Sequence, residues 1–257
     1  METTEPLPEP MPTCPNCQGI VQATDNFCGH CGNSLAIASD RDRKEDVFDV
    51  LTPTLAYYFI TLVLLGIYKL TSVFPEGFEG IVIITVIDVA IVIAFWGNYF
   101  QTLKPLFSLR GLSLTVMALT ILGAVAGSVV VSVVANWINL SIQDDVFYST
   151  YMFQDTAYPF LLSTLFIAVQ PAIFEEVAFR GFLFDNILKV TPGKSTVYIT
   201  GFVFAIIHLN IISLLWLVPL GLVLGFLRGK YNTLWYGMIA HFTYNFSITV
   251  FEFLGWF

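Results

Sequence analysis

Two adjacent glutamates and an arginine lie in a strongly apolar part of this chain. Glu175, Glu176 and Arg180 interrupt the run FEEVAFRG at 174–181. A charged side chain in hydrocarbon is costly unless it is paired or faces a water-filled cavity, so such residues commonly mark functional sites. On a helix Glu176 and Arg180 are one turn apart and can form an internal ion pair. Glu175 is turned by about 100° from Glu176, which leaves its carboxylate free to face elsewhere.

Two histidines lie in later apolar segments, each four residues from a partner. His208 follows Phe204, whose ring can form the wall of a pocket, and His241 precedes Asn245, so that two hydrogen-bonding groups point in one direction. Taken singly, each polar residue has a structural explanation, as an interhelical hydrogen bond or a helix-end ion pair. Together, two carboxylates, two histidines, an asparagine and an arginine on three segments can converge on one polar site.

All four cysteines lie near the N-terminus in two CxxC pairs, Cys14 with Cys17 and Cys28 with Cys31. This spacing brings four thiolates around one Zn²⁺ in a module too small to have a core, so the metal would carry its folding. Two disulfides in an oxidising compartment are the alternative, which the paired spacing disfavours. His30 is interpreted as a polar residue of the knuckle rather than a fifth ligand. Four thiolates leave no open position for chemistry, so this zinc ribbon is expected to regulate or to dock a partner.

The composition excludes an ordinary soluble domain, since 56% of the 257 residues are hydrophobic and only 12% are charged. It predicts an all-α polytopic membrane protein with about seven transmembrane helices, six to eight being compatible with the pattern. The apolar segments lie at 53–70, 80–98, 112–138, 157–178, 196–211, 213–228 and 233–256. The fifth and sixth are short and nearly contiguous, which fits a tight hairpin or a partly re-entrant pair. Before the first apolar segment we expect a disordered tail at 1–12, the zinc ribbon at 13–34 and a charged linker at 35–52. The transmembrane domain is assigned to 53–257.

The distribution of Lys and Arg indicates an orientation. With the N-terminus in the cytoplasm, only Lys69 of the eleven Lys and Arg falls on the outer side. The outer loops carry acidic residues instead, namely Glu76, Glu79, Asp144, Asp145 and Asp155. This places the cysteines in the reducing cytosol, which further favours zinc, and an odd number of spans places the C-terminus on the opposite side. The first apolar segment is expected to be a retained span rather than a cleaved signal peptide.

The three motifs together resemble those of the CAAX protease and bacteriocin-processing (CPBP, or Abi) family of intramembrane proteases. That family's pattern is Glu-Glu-x-x-x-Arg, then Phe-x-x-x-His, then His-x-x-x-Asn or a close variant, on successive helices. Here it is formed by Glu175, Glu176 and Arg180, by Phe204 and His208, and by His241 and Asn245. The resemblance covers roughly residues 155–250, and the first three spans and the cysteine module lie outside it.

The resemblance implies hydrolysis of a peptide bond. Glu175, with His208, would hold and deprotonate a water molecule, and His241 and Asn245 would donate hydrogen bonds to the oxyanion. Glu176 and Arg180 would fix the helix that carries Glu175. A catalytic zinc held by one glutamate and two histidines stays open as an alternative. The glutamate mechanism is favoured because such a ligand set leaves no general base other than Glu176, which the arginine already engages.

Two other functions compete with the protease. The first is a non-catalytic membrane scaffold or immunity protein that recruits a partner through the zinc ribbon, with the polar residues holding the bundle together. The second is a proton-coupled transporter, which the absence of visible inverted repeats disfavours. The expected partners of a protease are the lipid bilayer, a membrane-embedded or lipidated peptide substrate and a cytosolic protein bound by the ribbon. No nucleic-acid partner is expected.

Glu175 and His208 are predicted to lie at different depths in the membrane. With straight spans, Glu175 lies towards the cytoplasmic end of its helix and His208 towards the other end. The stretch 157–190 must therefore tilt or sit deeper, or the fifth span must begin late, for the groups to meet. Asp88 is another intramembrane acid, at the centre of the second span. It is expected to line the cavity or, more simply, to pair with an Arg or Thr of a neighbouring span.

Overall fold

A computed structural model describes residues 12–22, 28–32, 35, 47–142 and 148–256. Its transmembrane part consists of seven main helices: α1 (Val47–Leu70), α2 (Phe78–Leu103), α3 (Leu114–Ile142), α4 (Pro159–Val190), α5 (Gly193–Ile206), α6 (Leu214–Tyr231) and α7 (Trp235–Leu254). Short helical turns at Lys104–Phe107 and Ser149–Phe153 lie between them. The tail predicted at 1–12, apart from Pro12, and the charged residues 40–46 lie outside the described part of the chain.

The prediction of an all-α polytopic membrane fold is confirmed. Five of the seven helices, α1, α2, α3, α4 and α6, are long and apolar enough to cross a bilayer. Helix α5 has 14 residues, which extend about 21 Å and fall short of the ~30 Å of hydrocarbon. Helix α7 carries His241, Asn245 and Glu252 and is less apolar than those five. The seven predicted helices are therefore present, and two of them, α5 and α7, are not long or apolar enough to be recognised as membrane spans.

Two helix boundaries differ from the sequence prediction. Helix α1 begins at Val47, so residues 47–52 of the segment predicted as a linker are helical. Helix α4 continues to Val190 instead of ending near 178. The 32 residues of α4 extend about 48 Å, longer than the hydrocarbon is thick, so α4 must tilt or extend beyond it. Glu175 consequently lies near the middle of the helix and not at its end.

Helix α4 contains two π-helical turns, at Thr164–Val169 and Val177–Leu183. The second begins directly after Glu176 and contains Arg180. π-Turns shift the helix register, free backbone carbonyl groups and are frequent at functional sites. The first lies against α7, which also packs against α3 and α6.

Helices α5 and α6 form a closely packed pair that supports α4 from one side. At their contact Gly201 faces Gly221, and a Cβ atom at Gly221 would lie 2.6 Å from the Gly201 carbonyl oxygen. Glycine is therefore required for the two backbones to approach this closely. Residues 207–213 join the two helices.

Candidate active site

The two adjacent glutamates have different surroundings. Glu176 is fully buried, and its Oε1 accepts hydrogen bonds from Arg180 (Nη1, 3.1 Å) and from His241 (Nδ1, 3.1 Å). Glu175, by contrast, keeps 27% of its side chain exposed, and its Oε2, which is itself buried, has no hydrogen-bond partner. The Oε2 of Glu176 is likewise buried without a partner. The Glu176–Arg180 ion pair predicted from the spacing is present, and the Glu175 carboxylate is left available for a ligand.

His241 lies between the two carboxylates. An ionised carboxylate only accepts hydrogen bonds, so His241 donates its Nδ1–H to Glu176. Its other nitrogen, Nε2, lies 4.0 Å from Glu175 Oε2, which is too long for a direct hydrogen bond. These two atoms are therefore close but not bonded to each other.

Arg180 connects three helices. It is fully buried on α4, donates from Nη2 to the Gly221 carbonyl oxygen of α6 at 3.1 Å, and places its guanidinium carbon 4.3 Å from the centre of the Phe204 ring on α5. Together with the ion pair to Glu176, these contacts compensate the burial of the charge. Arg180 thus holds the glutamate-bearing turn against both α5 and α6.

Phe204 separates and orients the two histidines. Its buried ring meets the His208 ring at 5.0 Å and the His241 ring at 5.7 Å, both edge to face. The Phe204 carbonyl oxygen accepts a hydrogen bond from His208 Nδ1 at 2.8 Å, so His208 presents Nε2 as its free nitrogen. Lys69 of α1 donates to the His208 carbonyl oxygen. The Phe ring therefore does form a wall of the site, as the motif spacing suggested.

Asn245 is placed one helical turn further along α7. Its Nδ2 donates to the carbonyl oxygen of Ile167, in the first π-turn of α4, at 2.8 Å. Phe204 thus contacts Arg180, His208 and His241, and His241 lies beside both glutamates. Asn245 is held against Ile167 instead. The histidine beside Glu175 is His241, whereas the sequence reasoning paired this glutamate with His208.

The sequence reasoning missed Gly237, which makes room for Glu176. Gly237 lies one turn before His241 on α7, and a Cβ atom there would lie 2.6 Å from Glu176 Oε2. The sequence did contain a signal for this close contact, namely a glycine inside a helix that also carries a motif histidine.

Gly237→Ala is expected to destabilise the protein by about 1–3 kcal/mol through overpacking, and to displace the Glu176 carboxylate. Thermal unfolding in detergent measures this. Gly123→Ala on α3 is the matched control, because nothing lies within 4 Å of a Cβ atom there. Equal melting temperatures for the two variants would show that the Glu176 carboxylate is not packed against α7.

Asp88 has a partner that the sequence did not indicate. The Gln170 side chain of α4 lies within hydrogen-bonding reach of its carboxyl group. This neighbour is an amide of α4 and not an Arg or Thr of a neighbouring span.

The four cysteines converge as predicted. Their sulfur atoms all lie within 4.8 Å of one another, with Cys14 to Cys31 at 3.7 Å and Cys17 to Cys28 at 3.4 Å. Tetrahedral zinc with Zn–S distances of about 2.3 Å separates its sulfur ligands by about 3.8 Å. The four cysteines are therefore close enough to hold a metal ion.

The thiols of this cluster affect one another's ionisation. A backbone N–H of Gly19 lowers the pKa of Cys17, but the thiols of Cys31 and Cys28 raise it by more, to about 12. Desolvation raises the pKa of Cys28, but the backbone N–H groups of Cys31 and His30 outweigh it, and the net pKa lies below its ordinary value. Four thiolates at these distances repel each other, and a cation at their centre would remove that repulsion.

Fold and site together define a multi-spanning membrane protein with a buried glutamate, histidine and arginine centre. Residues 157–247 match the family model for Rce1-like proteins, the type II CAAX prenyl endopeptidases. The match covers less than half of the chain, and over this region the resemblance to the CPBP proteases is confirmed. The match supports an intramembrane protease of the CAAX type, which acts in the bilayer on a membrane-associated peptide. No curated protein and no solved structure matches the chain.

Proposed function

We propose that this protein is an intramembrane endopeptidase that hydrolyses a peptide bond in a membrane-associated or lipidated, CAAX-like substrate. The observation that carries the proposal is the difference between the two adjacent glutamates. Glu176 is buried and its Oε1 accepts from two donors, whereas the Glu175 side chain is partly exposed and its Oε2 lies 4.0 Å from an imidazole nitrogen without a hydrogen bond. One carboxylate holds the structure, and the other is free for a water molecule.

Glu175 is the general base of this mechanism. It takes a proton from a water molecule that His208 helps to hold, and the resulting hydroxide attacks the scissile carbonyl carbon. The proton on Glu175 then passes to the nitrogen of the leaving peptide as the tetrahedral intermediate breaks down. The Michaelis complex must bring His208 Nε2 towards Glu175, since in the free protein His241 lies nearer.

His241 and Asn245 stabilise the oxyanion. His241 already donates its Nδ1–H to Glu176. It can also donate from Nε2 to the oxyanion only when the imidazole carries a second proton. The ring lies between the carboxylates of Glu176 and Glu175. Asn245 has a second amide N–H besides the one given to Ile167. Loss of one oxyanion donor typically costs about 3 kcal/mol of barrier.

A catalytic zinc is the alternative mechanism. Both histidines use Nδ1 for an oxygen acceptor and leave Nε2 free, an arrangement typical of zinc-binding histidines. However, among the described residues, one group of three or more Cys, His, Asp or Glu side chains has ligand atoms close enough to share one ion. That group is the four cysteines, and it does not include Glu175, His208 or His241. A zinc on Glu175 would also leave Glu176 as the remaining base, already bound by Arg180 and His241. We therefore favour the glutamate mechanism.

Cleavage of a quenched fluorescent lipidated CAAX peptide by the purified protein tests the function, with the products identified by mass spectrometry. We expect a single cut releasing the C-terminal fragment. Lack of cleavage of this peptide and of unlipidated or transmembrane peptides would favour the non-catalytic scaffold. That reading has support of its own, because the Glu176–Arg180–His241 network also suits a purely structural staple.

The N-terminal cysteines, we propose, bind one structural zinc and form a ribbon for a cytosolic partner. Metal analysis of the purified chain is expected to find one zinc per molecule, and Cys14→Ser is expected to lose it. His30→Ala is the matched control, since His30 packs against Gly19 and is not a member of the metal-binding group. Retention of zinc in Cys14→Ser, or its loss in His30→Ala, would contradict this assignment.

The orientation is also a proposal. The distribution of Lys and Arg places the N-terminus in the cytoplasm and the C-terminus on the opposite side. Protease protection of tags at the two ends, in sealed vesicles of known sidedness, tests it, and protection of both tags or of neither would contradict it.

A further inference from the structure

A second arginine besides Arg180, Arg228, is buried in the helical bundle. Arg228, on α6, is 1% exposed and lies outside the three motifs. It forms an ion pair through Nη2 with Asp185 on α4 and donates from Nη1 to Asn232 Oδ1 at 2.7 Å. Its guanidinium carbon lies 5.1 Å from the centre of the Phe184 ring. A buried guanidinium is stable only when its charge and its donors are satisfied together, and here the three nitrogens are all used.

The third nitrogen contacts the backbone of the glutamate-bearing helix. Arg228 Nε donates to the Arg180 carbonyl oxygen at 2.8 Å. In a regular α-helix that oxygen would accept the Phe184 N–H. In the π-turn, however, the Phe184 N–H bonds the carbonyl oxygens of Gly181 and Phe179 instead. Arg228 thus takes the acceptor that the π-turn leaves without its α-helical donor.

This hydrogen bond connects Arg228 to the glutamates through a short series of contacts. The backbone of Arg180 is held by Arg228, and the side chain of Arg180 holds Glu176. Glu176 in turn binds His241, which faces Glu175. A relaxation of the π-turn into a regular α-helix would rotate Arg180 relative to Glu176 and disturb each later contact.

We propose that Arg228 is a positioning residue, which Asp185 and Asn232 orient and which holds the π-turn of α4 in the register that the catalytic centre requires. Asn232 suits this task because it ends α6 in the left-handed conformation, with φ 47°, which asparagine tolerates better than most residues. The effect on catalysis rests on the proposed function. The effect on the π-turn does not.

Arg228→Lys separates the backbone contact from the charge. A lysine retains an ion pair with Asp185, but it has one nitrogen and cannot reproduce the fork that reaches Asp185, Asn232 and the Arg180 carbonyl group together. Lys230→Gln on the same helix is the matched control, because the Lys230 side chain is exposed. Asp185→Asn is a second variant, which leaves an acceptor for Arg228 but removes its counter-charge.

Two measurements on the full chain in detergent test the proposal. The first is hydrogen–deuterium exchange of the amides over 177–184, and the second is kcat and KM for the lipidated CAAX peptide. In Arg228→Lys we expect exchange over 177–184 to accelerate by about tenfold or more, as for the loss of one hydrogen bond to a charged donor. We also expect kcat to fall by a similar factor with KM within about twofold, because Arg228 is buried and acts through the backbone of α4. Lys230→Gln is expected to match the wild type in both.

Unchanged exchange in both Arg228→Lys and Asp185→Asn would overturn the proposal. Accelerated exchange with an unchanged kcat would also overturn it, because Arg228 would then be structural without positioning the catalytic groups. A wild type that cleaves no peptide would be a failure of the proposed function. The exchange experiment would then decide by itself whether Arg228 holds the π-turn.

Discussion

Glu175→Gln is expected to reduce kcat for a lipidated CAAX peptide by at least about 10²-fold, within the 10²–10⁴ that a positioned general base contributes. Glutamine preserves the size and hydrogen-bonding groups of the side chain but cannot take a proton from water. The melting temperature is expected to stay close to the wild-type value, because the Glu175 Oε2 makes no hydrogen bond that the substitution would remove.

Glu79→Gln is the matched control for this substitution. Glu79 is exposed in the first turn of α2, far along the chain from the motif glutamates, and its replacement should leave both kcat and stability unchanged. Undiminished cleavage by Glu175→Gln would refute the assignment of Glu175 as the base. A large fall in melting temperature would instead show that Glu175 has a structural role.

Arg180→Gln is expected to have the largest effect on stability, a decrease of about 3–5 kcal/mol in the free energy of unfolding, as for the removal of one partner of a buried ion pair. The substitution leaves the fully buried Glu176 without its counter-charge and removes the bond to the Gly221 carbonyl group and the contact with the Phe204 ring. Denaturation in mixed micelles measures the change, and cleavage is expected to be lost as well.

A double variant separates the causes of this loss. Adding Glu176→Gln to Arg180→Gln removes the unpaired charge, so part of the stability should return while cleavage stays absent. Arg110→Gln, at an exposed position before α3, serves as the control. If Arg180→Gln were as stable as Arg110→Gln, the buried ion pair would contribute nothing to the fold.

The local part of the site could be predicted from the sequence. The Glu176–Arg180 pair and the Phe204–His208 contact each join residues four apart on one helix, so helical geometry alone indicates them. The cysteine cluster was predictable for a similar reason, because two CxxC pairs have few ways to bind one metal.

The contacts between helices could not be predicted in the same way. That His241, rather than His208, lies beside Glu175 depends on how α7 packs against α4, which no local pattern encodes. The position of Asn245 against Ile167 has the same origin. The end of α4 was placed too early because Asp185 lowers the hydropathy after residue 178, while its neutralising partner, Arg228, comes from α6. The π-turns likewise lack a recognisable sequence signal.

The first residue of α1 was also not predictable from hydropathy. Hydropathy places the beginning of this helix where the apolar run starts, near residue 53. The helix itself begins at Val47, since a helix can continue past the apolar region into water. Hydropathy therefore predicts which helices exist better than it predicts where they end.

In the proposed mechanism Glu175, and not a metal ion, activates the water. The most direct test is cleavage of the lipidated CAAX peptide by a full-length variant with all four cysteines changed to serine, before and after exhaustive chelation, with the metal content measured in both samples. Our account predicts that cleavage continues at the same rate in protein that contains no metal. Cleavage that is lost on chelation and restored by added zinc would contradict it and would establish a metal at Glu175, His208 and His241 instead.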